Sequence, residues 1–394
     1  MNFDRFDLAD LTKRRGAKWA AAPGDVLAAW IADMDFPLAP PVADVLAEAV
    51  GAQDLGYPSG QDVDAVVASF VARSASRHGL DVDPSLVVVT SDVVQSIYIA
   101  LMTFSEPGDG VVVQTPVYPP FLSAVADTGR RLVEAPLAVA PQGYRVDADR
   151  LRAAVRGQGA KVMLVCNPHN PTGRVFADDE LEAVAEVAEE EDLVLVVDEI
   201  HADLVYPGRS HVPMPLAAPA AATRCVTLAS ASKAFNIAGL RCSVASFGSR
   251  SLYDRFSAVP SHVRGGLSVL GLRATAAAWK EGDEWLGQVL SYLQDNRDAV
   301  ATALAGLDGV VSFAPEATYL AWIDLSGLGM GPDPAGELKQ NAGVLLSSGP
   351  DFGGPGKGHV RLNFATTAEV LQGILSRLGT YLSGRRPRVD SGRS

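Results

Sequence analysis

The middle of the chain alternates strand-forming and helix-forming segments, and this alternation restricts the fold more than any other feature. Apolar, strand-like runs cover residues 161–166 and 194–197, and an acidic, solvated helix is predicted between them at 178–191. Two strands joined through a helix predict a parallel pair in an open α/β sheet. The second strand ends in Asp198, which puts a carboxylate at the carboxyl edge of the sheet, where such sheets bind ligands.

A single lysine stands in a run of small and apolar residues at 230–241. Apolar surroundings disfavour the charged form of the Lys233 amine, and the cationic Arg241 disfavours it further, which suits an amine that attacks an aldehyde. The hydroxyls of Ser230 and Ser232, with the Arg241 guanidinium, make a phosphate cradle. Lysine, aldehyde and phosphate together indicate pyridoxal 5′-phosphate (PLP). Taken alone, this stretch is also compatible with a surface loop that carries an ordinary lysine.

The acid at position 198 fits the same cofactor, because PLP needs a carboxylate beside its pyridine nitrogen to keep that nitrogen protonated. The strand at 161–166 leads into a rigid polar turn, NPHNPTG at 167–173, in which Asn167 and His169 are expected to shape the backbone. The order of strand, turn, helix, strand, acid and lysine indicates one site.

Three segments carry a resemblance to a known family: NPHNPTG, the strand that ends in Asp198, and SASKAFNIAGLR at 230–241. Together they resemble the fold-type I PLP enzymes of the class I/II aminotransferase superfamily, and the resemblance extends over nearly the whole chain. It implies an α/β fold like that of aspartate aminotransferase. A large PLP-binding domain with a mostly parallel sheet flanked by helices is expected, together with a smaller α+β C-terminal domain.

The N-terminal arm narrows the resemblance to one branch. FDR near the start, KW at 18–19 and WIADMDF at 30–36 are similar to the MalY/PatB-type cystathionine β-lyases, which are C–S lyases, and so is DEIHADL at 198–204. Apart from the resemblance, two interpretations of the irregular residues 1–40 remain open. The aromatic residues pack onto the body of the protein, or they line a substrate channel as a lid.

The resemblance implies a role for each site residue. Lys233 bonds to PLP and acts on the substrate, Asp198 pairs with the ring nitrogen, and Tyr118 stacks on the ring. The further cofactor contacts are Asn170 at the 3′-oxygen, Ser230, Ser232, Arg241 and the helix start at Asp92 and Val93 at the phosphate, and Tyr57 from the partner subunit of a homodimer. The implied substrate contacts are Arg361 for the α-carboxylate, Asn170 and Tyr118, and no metal is expected.

Several of these positions allow a second interpretation or depart from the family pattern. His201 either contacts PLP or is a packed structural histidine. Arg361 lies in an apolar strand and needs an anion, which is either the substrate or a salt-bridge partner. Tyr57 by itself would suit a structural turn. Asp92 replaces the usual glycine and is expected to point away from the phosphate as an N-cap, and Pro119 replaces a tyrosine common in this branch.

Composition excludes several classes of function. The 394 residues carry a net charge of −13, which argues against nucleic acid or an anionic membrane as a partner. The N-terminus lacks the apolar segment of a signal peptide, and no apolar run is long enough to span a bilayer, so a cytoplasmic location is expected. The three cysteines, Cys166, Cys225 and Cys242, lack metal-binding spacing and are expected to be reduced and buried.

The expected domain organisation has four segments. Residues 1–45 form an arm that joins the small domain, 46–280 the large PLP-binding domain, 281–383 the small domain, and 384–394 a disordered tail.

The expected activity is α,β-elimination from L-cystathionine or a related cysteine S-conjugate, which gives a thiol (homocysteine), pyruvate and ammonia. Transamination uses the same residues up to the carbanion, so an aminotransferase remains the alternative. A regulatory protein that keeps the fold without turnover is opposed by the intact Lys233, Asp198 and Arg361.

Overall fold

The computed structural model describes residues 1–385 of the chain, which fold into two compact units. The larger unit consists of Leu38–His169 and Arg174–Gly287, and the smaller one of Met1–Pro37, Asn170–Gly173 and the chain from Gln288 onward. The predicted disordered tail lies outside the described residues from 386 onward.

A seven-stranded sheet forms the centre of the larger unit. Its strands are β1 (Val87–Thr90), β2 (Gly110–Val113), β3 (Arg131–Glu134), β4 (Ala160–Cys166), β5 (Val194–Asp198), β6 (Cys225–Ala229) and β7 (Ser243–Phe247). Their order is β1-β7-β6-β5-β4-β2-β3, and only β7 runs antiparallel to its neighbours. The strand directions confirm the predicted mostly parallel α/β sheet. Buried strands rich in valine need helices on both faces, which accounts for this architecture.

Helices flank this sheet. They are Pro40–Gly51, Gly60–His78, Val93–Phe104, Pro119–Asp127, Ala148–Val155, Asp178–Glu190, Arg250–Ser257, Val269–Glu281 and the first residues of Asp283–Ala305. Local signals set several ends: prolines open the first of them, and Ser59 and Asp62 form a capping box. A core cluster of apolar side chains joins the helix Val93–Phe104 to the sheet, with Val226 and Leu228 of β6 among its members.

The smaller unit contains a four-stranded antiparallel sheet in the order Val311–Ser312, Leu320–Asp324, His359–Asn363 and Ser347–Ser348. Helices Ala335–Ala342 and Ala368–Ser383 belong to the same unit. The predicted α+β character of the C-terminal region is confirmed. The central strand, His359–Asn363, is buried along its whole length, which places Arg361 in the interior of this unit.

The N-terminal arm differs from the predicted irregular chain. It contains two four-residue helices, Leu8–Leu11 and Ala17–Ala20, and a short strand, Leu27–Ala28, that pairs with Val344–Leu345. Oδ1 of Asp7 accepts the N–H of Asp10 and so caps the first helix. This hydrogen bond helps to stabilise a helix of only four residues.

The KW motif of the arm is part of a buried ion pair. Nζ of Lys18 lies 2.6 Å from Oδ2 of Asp35, and the indole N–H of Trp19 donates to Oδ1 of Asp35 at 2.8 Å. Lys18 also donates to the carbonyl of Ala365, from the C-terminal part of the same unit. These contacts favour the packing interpretation of the arm over the lid interpretation.

Two further expectations concern membranes and cysteines. Among residues 1–385, no helix has the length and apolar character that a bilayer span requires. Cys166, Cys225 and Cys242 are buried thiols outside any disulfide, as predicted.

Candidate active site

Asp198 is the last residue of β5, and its carboxyl group is buried. Oδ1 accepts the N–H of Ile200 at 3.0 Å. Burial raises the pKa of Asp198 to about 7, although the Ile200 N–H and the nearby charge of Lys233 both lower it. The acid and the lysine predicted from separate motifs therefore interact electrostatically in one unit.

Lys233 is placed by a turn that follows β6. Ala231, Ala234 and Phe235 are fully buried, and the N–H of Phe235 donates to the carbonyl of Ala231 at 2.9 Å. Lys233 itself is only half-buried. The turn therefore fixes the backbone at Lys233, and the residue as a whole keeps part of its surface exposed.

The two serines of this turn have different environments. The Ser230 hydroxyl donates to the carbonyl of Cys242 at 2.6 Å and accepts the N–H of Ser232 at 3.1 Å. Ser230 thus shapes the turn in addition to any contact with a phosphate. The phosphate roles of Ser230 and Ser232 stay a prediction.

Asp92 is the N-cap of the helix Val93–Phe104, as predicted. Its Oδ1 accepts the N–H of Gln95 at 2.9 Å, and its backbone is extended. The expectation that it points away from the phosphate stays a prediction, although its carboxylate contacts one of the predicted phosphate ligands. Its Oδ2 accepts a hydrogen bond from Nη1 of Arg241 at 2.7 Å. The guanidinium is thus a positively charged partner for this carboxylate.

Arg361 is buried in the strand His359–Asn363 of the smaller unit. Its Nη1 donates to Oδ1 of Asn170 at 3.0 Å, and its Nη2 donates to the carbonyl of Trp30 at 2.8 Å and to Oγ of Ser347 at 3.1 Å. The guanidinium also lies over the Phe352 ring, 5.0 Å from its centroid. The three acceptors are neutral, so these hydrogen bonds orient the guanidinium without neutralising its charge.

Trp30 and Ser347 were not identified as site residues from the sequence. The Ser347 hydroxyl donates to the Trp30 carbonyl at 2.6 Å, and both then accept from Arg361. A backbone carbonyl has no signature in the residue type, and a serine on a two-residue strand has no periodic pattern. Only the WIADMDF resemblance drew attention to this part of the arm.

The polar turn before the helix Asp178–Glu190 has the expected structural role. Oδ1 of Asn167 accepts the N–H of Phe176 at 2.9 Å, and the His169 ring stacks on the Phe176 ring at 5.4 Å. Burial lowers the pKa of His169 to about 3. A neutral, stacked imidazole suits a structural residue of the turn.

The remaining candidates occupy positions consistent with several roles. Tyr118 is half-buried at the N-cap of the helix Pro119–Asp127, and Val93 is the buried first residue of its helix. His201 is buried in the turn after β5. Tyr57 is fully exposed, at 102% of its reference area.

The residues of the larger unit fit PLP chemically. The half-buried amine of Lys233 suits an aldehyde, the buried carboxyl group of Asp198 suits a basic ring nitrogen, and Arg241 beside a helix start suits a phosphate. Within residues 1–385, no group of three or more His, Cys, Asp or Glu side chains could hold a metal ion.

Comparisons with known proteins define the class. The family model described as aminotransferase class I and II matches residues 46–378. The chain is 35% identical to cystathionine β-lyase of Corynebacterium glutamicum, over 95% of this chain and 99% of the relative. It is 33% identical to cystathionine β-lyase PatB of Bacillus subtilis, over 97% and 100% of the two chains.

A solved structure leads to the same conclusion. The PLP-bound C–S lyase from Staphylococcus hominis has a TM-score of 0.89 and 30% identity, covering 97% of this chain and 99% of that one. The chain belongs to the class I and II aminotransferase family. The predicted similarity to the cystathionine β-lyase branch of that family is confirmed.

Proposed function

We propose that this chain is a PLP-dependent C–S β-lyase that cleaves L-cystathionine or a related cysteine S-conjugate to a thiol, pyruvate and ammonia. Relatives named cystathionine β-lyase and PLP-bound structures named C–S lyase confirm the predicted enzyme class and cofactor. The observation that carries the lyase proposal is the near-full-length similarity to relatives named cystathionine β-lyase. Lys233 and the buried Asp198, whose pKa burial raises to about 7, supply the PLP chemistry that a lyase shares with an aminotransferase.

PLP, when bound, supplies an aldehyde and a protonated ring that accepts the electron pair released at the substrate Cα. Lys233 would hold the cofactor covalently, and the substrate amine would take its place, so that the freed Lys233 amine could remove the Cα proton as a general base. Asp198 holds a proton at the ring nitrogen, because the positive charge there stabilises the carboxylate that burial disfavours. The further residues proposed to position the cofactor are Asn170, Tyr118, Ser230, Ser232, Arg241 and His201, together with the backbone of Asp92 and Val93 at the helix start.

Arg361 is proposed to bind the substrate α-carboxylate. Its hydrogen bonds to Asn170, Trp30 and Ser347 hold the guanidinium in one orientation. A planar guanidinium held in this way can receive a carboxylate through two parallel hydrogen bonds. The recognised substrate is then an amino acid, in keeping with the family.

A homodimer is part of the proposal. Tyr57 is fully exposed in the single chain, and the neighbouring Leu55 is half-exposed. Large apolar side chains exposed side by side suit an interface with another protein. In the proposed assembly Tyr57 reaches the phosphate site of the partner subunit.

The domain roles and the location are also proposed. Residues 46–280 hold the cofactor, while 1–45 and 281–383 form the domain that carries Arg361. The net charge of −13 argues against nucleic-acid and anionic-membrane partners. A cytoplasmic location is proposed as well.

The deciding experiment supplies L-cystathionine to the PLP-loaded protein without a keto-acid acceptor. Sustained release of pyruvate and thiol over many turnovers is expected. Release only from cysteine or another thioether keeps the class and changes the substrate. Turnover that begins only after a keto acid is added identifies an aminotransferase instead. The Lys233→Ala variant, expected to lose the absorbance of covalently bound PLP, is the negative control.

A further inference from the structure

The Asp92 carboxylate accepts hydrogen bonds from two groups of kinds that ordinarily bind a phosphate. Its Oδ1 accepts the N–H of Gln95 at the start of the helix Val93–Phe104, and its Oδ2 accepts from Nη1 of Arg241. Free N–H groups at a helix start and a guanidinium are both strong binders of phosphate. Asp92 therefore already places a negative charge between them.

We propose that Asp92 is an internal anion that competes with the cofactor phosphate for Arg241 and the helix start. The proposal rests on the phosphate role of Arg241 in the proposed function. A phosphate that enters must either displace the carboxylate from Arg241 or accept the repulsion between two negative groups. In both cases the carboxylate weakens the binding of PLP.

The exposure of the pair makes such an exchange feasible. The Arg241 side chain is 64% exposed and the Asp92 side chain 30% exposed, so water screens the contact. An exposed ion pair of this kind is weak and can open without disturbing the core. The side chains can therefore exchange partners while the fold stays intact.

The backbone beneath the pair is fixed. Arg241 has a φ of 56°, in the left-handed region, and the preceding carbonyl of Leu240 lies against Gly271. A Cβ added at Gly271 would lie 2.2 Å from that oxygen, so the close approach requires a glycine. Exchange of the anion is therefore confined to side-chain motion.

The opposite role, in which Asp92 orients Arg241 for the phosphate, makes the opposite prediction. Replacement of Asp92 by asparagine keeps a good N-cap and removes the negative charge. Competition predicts tighter PLP binding in this variant, whereas orientation predicts weaker binding.

The test compares full-length Asp92→Asn with the wild type and with Asp147→Asn. Asp147 caps the helix Ala148–Val155 through Arg150, so this control also loses one charge from an N-cap. The dissociation constant is measured for PLP and for pyridoxal, which lacks the phosphate, through tryptophan fluorescence and cofactor absorbance. We expect Asp92→Asn to bind PLP about two- to fivefold more tightly, with pyridoxal unchanged. Asp147→Asn should match the wild type for both ligands.

The competition model is overturned if Asp92→Asn binds PLP equally or more weakly, or if pyridoxal gains as much affinity as PLP. Failure of the proposed PLP site is recognised separately, because wild-type protein would then not bind PLP covalently at Lys233. Failure of the lyase activity alone is recognised from the cystathionine assay and leaves the competition model untouched. Arg241→Ala tests the shared premise: this variant should bind PLP more weakly and pyridoxal as before. If PLP binding is unaffected in Arg241→Ala, both the phosphate role of Arg241 and the competition model are wrong.

Discussion

Burial sets the protonation of individual residues in this protein. Asp198 and His169 are both buried, and loss of hydration disfavours the charged form of each. The pKa of Asp198 rises to about 7, whereas the pKa of His169 falls to about 3. At neutral pH His169 is therefore neutral, while Asp198 titrates in the range where a nearby positive charge can ionise it.

The raised pKa of Asp198 predicts a pH-dependent stability of the cofactor-free protein. Because the folded pKa is about 7 and the ordinary value 3.8, the stabilising contribution of protonated Asp198 is complete below 3.8 and is lost as the pH rises to about 7. Relative to Asp198→Asn, the wild type should lose up to about 4 kcal/mol across this range. Urea unfolding at several pH values measures the difference. Parallel pH profiles of the two proteins would contradict the assignment.

Ser347 is predicted to act through Arg361. Ser347→Ala removes one acceptor from Nη2 of Arg361 and the donor to the Trp30 carbonyl, so the guanidinium loses part of its orientation. We expect KM for the amino-acid substrate to rise about three- to tenfold with a smaller change in kcat.

Ser312→Ala is the matched control for this variant. Ser312 lies on the edge strand of the same sheet and donates to the carbonyl of Trp322. Its KM should equal that of the wild type. A purely structural role of Ser347 would lower the stability of Ser347→Ala and leave KM unchanged.

One helix holds the loop that follows Asp198. In Gly60–His78, Arg73 and Arg77 are four residues apart and so lie on the same face. Nε of Arg73 lies 2.9 Å from Asp203, and Nε of Arg77 lies 3.1 Å from it. Despite burial, these contacts and His78 hold the pKa of Asp203 well below its usual range. The helix thus fixes the loop five residues beyond the proposed catalytic acid.

Arg73→Ala should be strongly destabilising, because Asp203 stays buried after losing one of its positively charged partners. We expect a loss of about 3–5 kcal/mol in the free energy of unfolding, measured in urea at pH 7. Arg77→Ala is the control: the Arg77 side chain is one-third exposed, so a smaller loss is expected. An equal loss of unfolding free energy in the two variants would show that burial of the arginine does not determine the size of the loss.

The stabilisation by Asp203 should also depend on pH. Its folded pKa is lowered, so its contribution is present above the ordinary value of 3.8 and is lost as the pH falls below it. Asp203→Asn should therefore differ most from the wild type near neutral pH and least in acid. A constant difference at every pH would contradict the ion-pair assignment.

At the scale of the whole molecule, the proposed site needs two chains. Lys233 and Asp198 belong to one chain, and Tyr57 is proposed to come from its partner. Exposure of Tyr57 in the single chain supports this arrangement. The proposed assembly is open to a direct test with mixed dimers.

Mixed dimers test the origin of Tyr57. Lys233→Ala and Tyr57→Ala homodimers are each expected to have low activity. A mixed dimer contains one site with an intact Lys233 and an intact Tyr57 from the partner, so mixing should restore activity above that of either parent. A different affinity tag on each variant allows the mixed dimers to be isolated by two successive purifications. No recovery in such dimers, or full activity of a monomer, would exclude the role of Tyr57 across the interface.

The sequence by itself determined the features that rest on local signals. The strands around Asp198, the N-cap of Asp92 and the turn around Lys233 follow from short-range periodicity and hydrogen bonding, and the family resemblance linked them to PLP. Only the tertiary structure decided which distant groups meet. Arg241 lies 149 residues from Asp92, and Arg361 lies 331 residues from Trp30. Such pairs depend on packing between segments, so no local pattern of residue types specifies them.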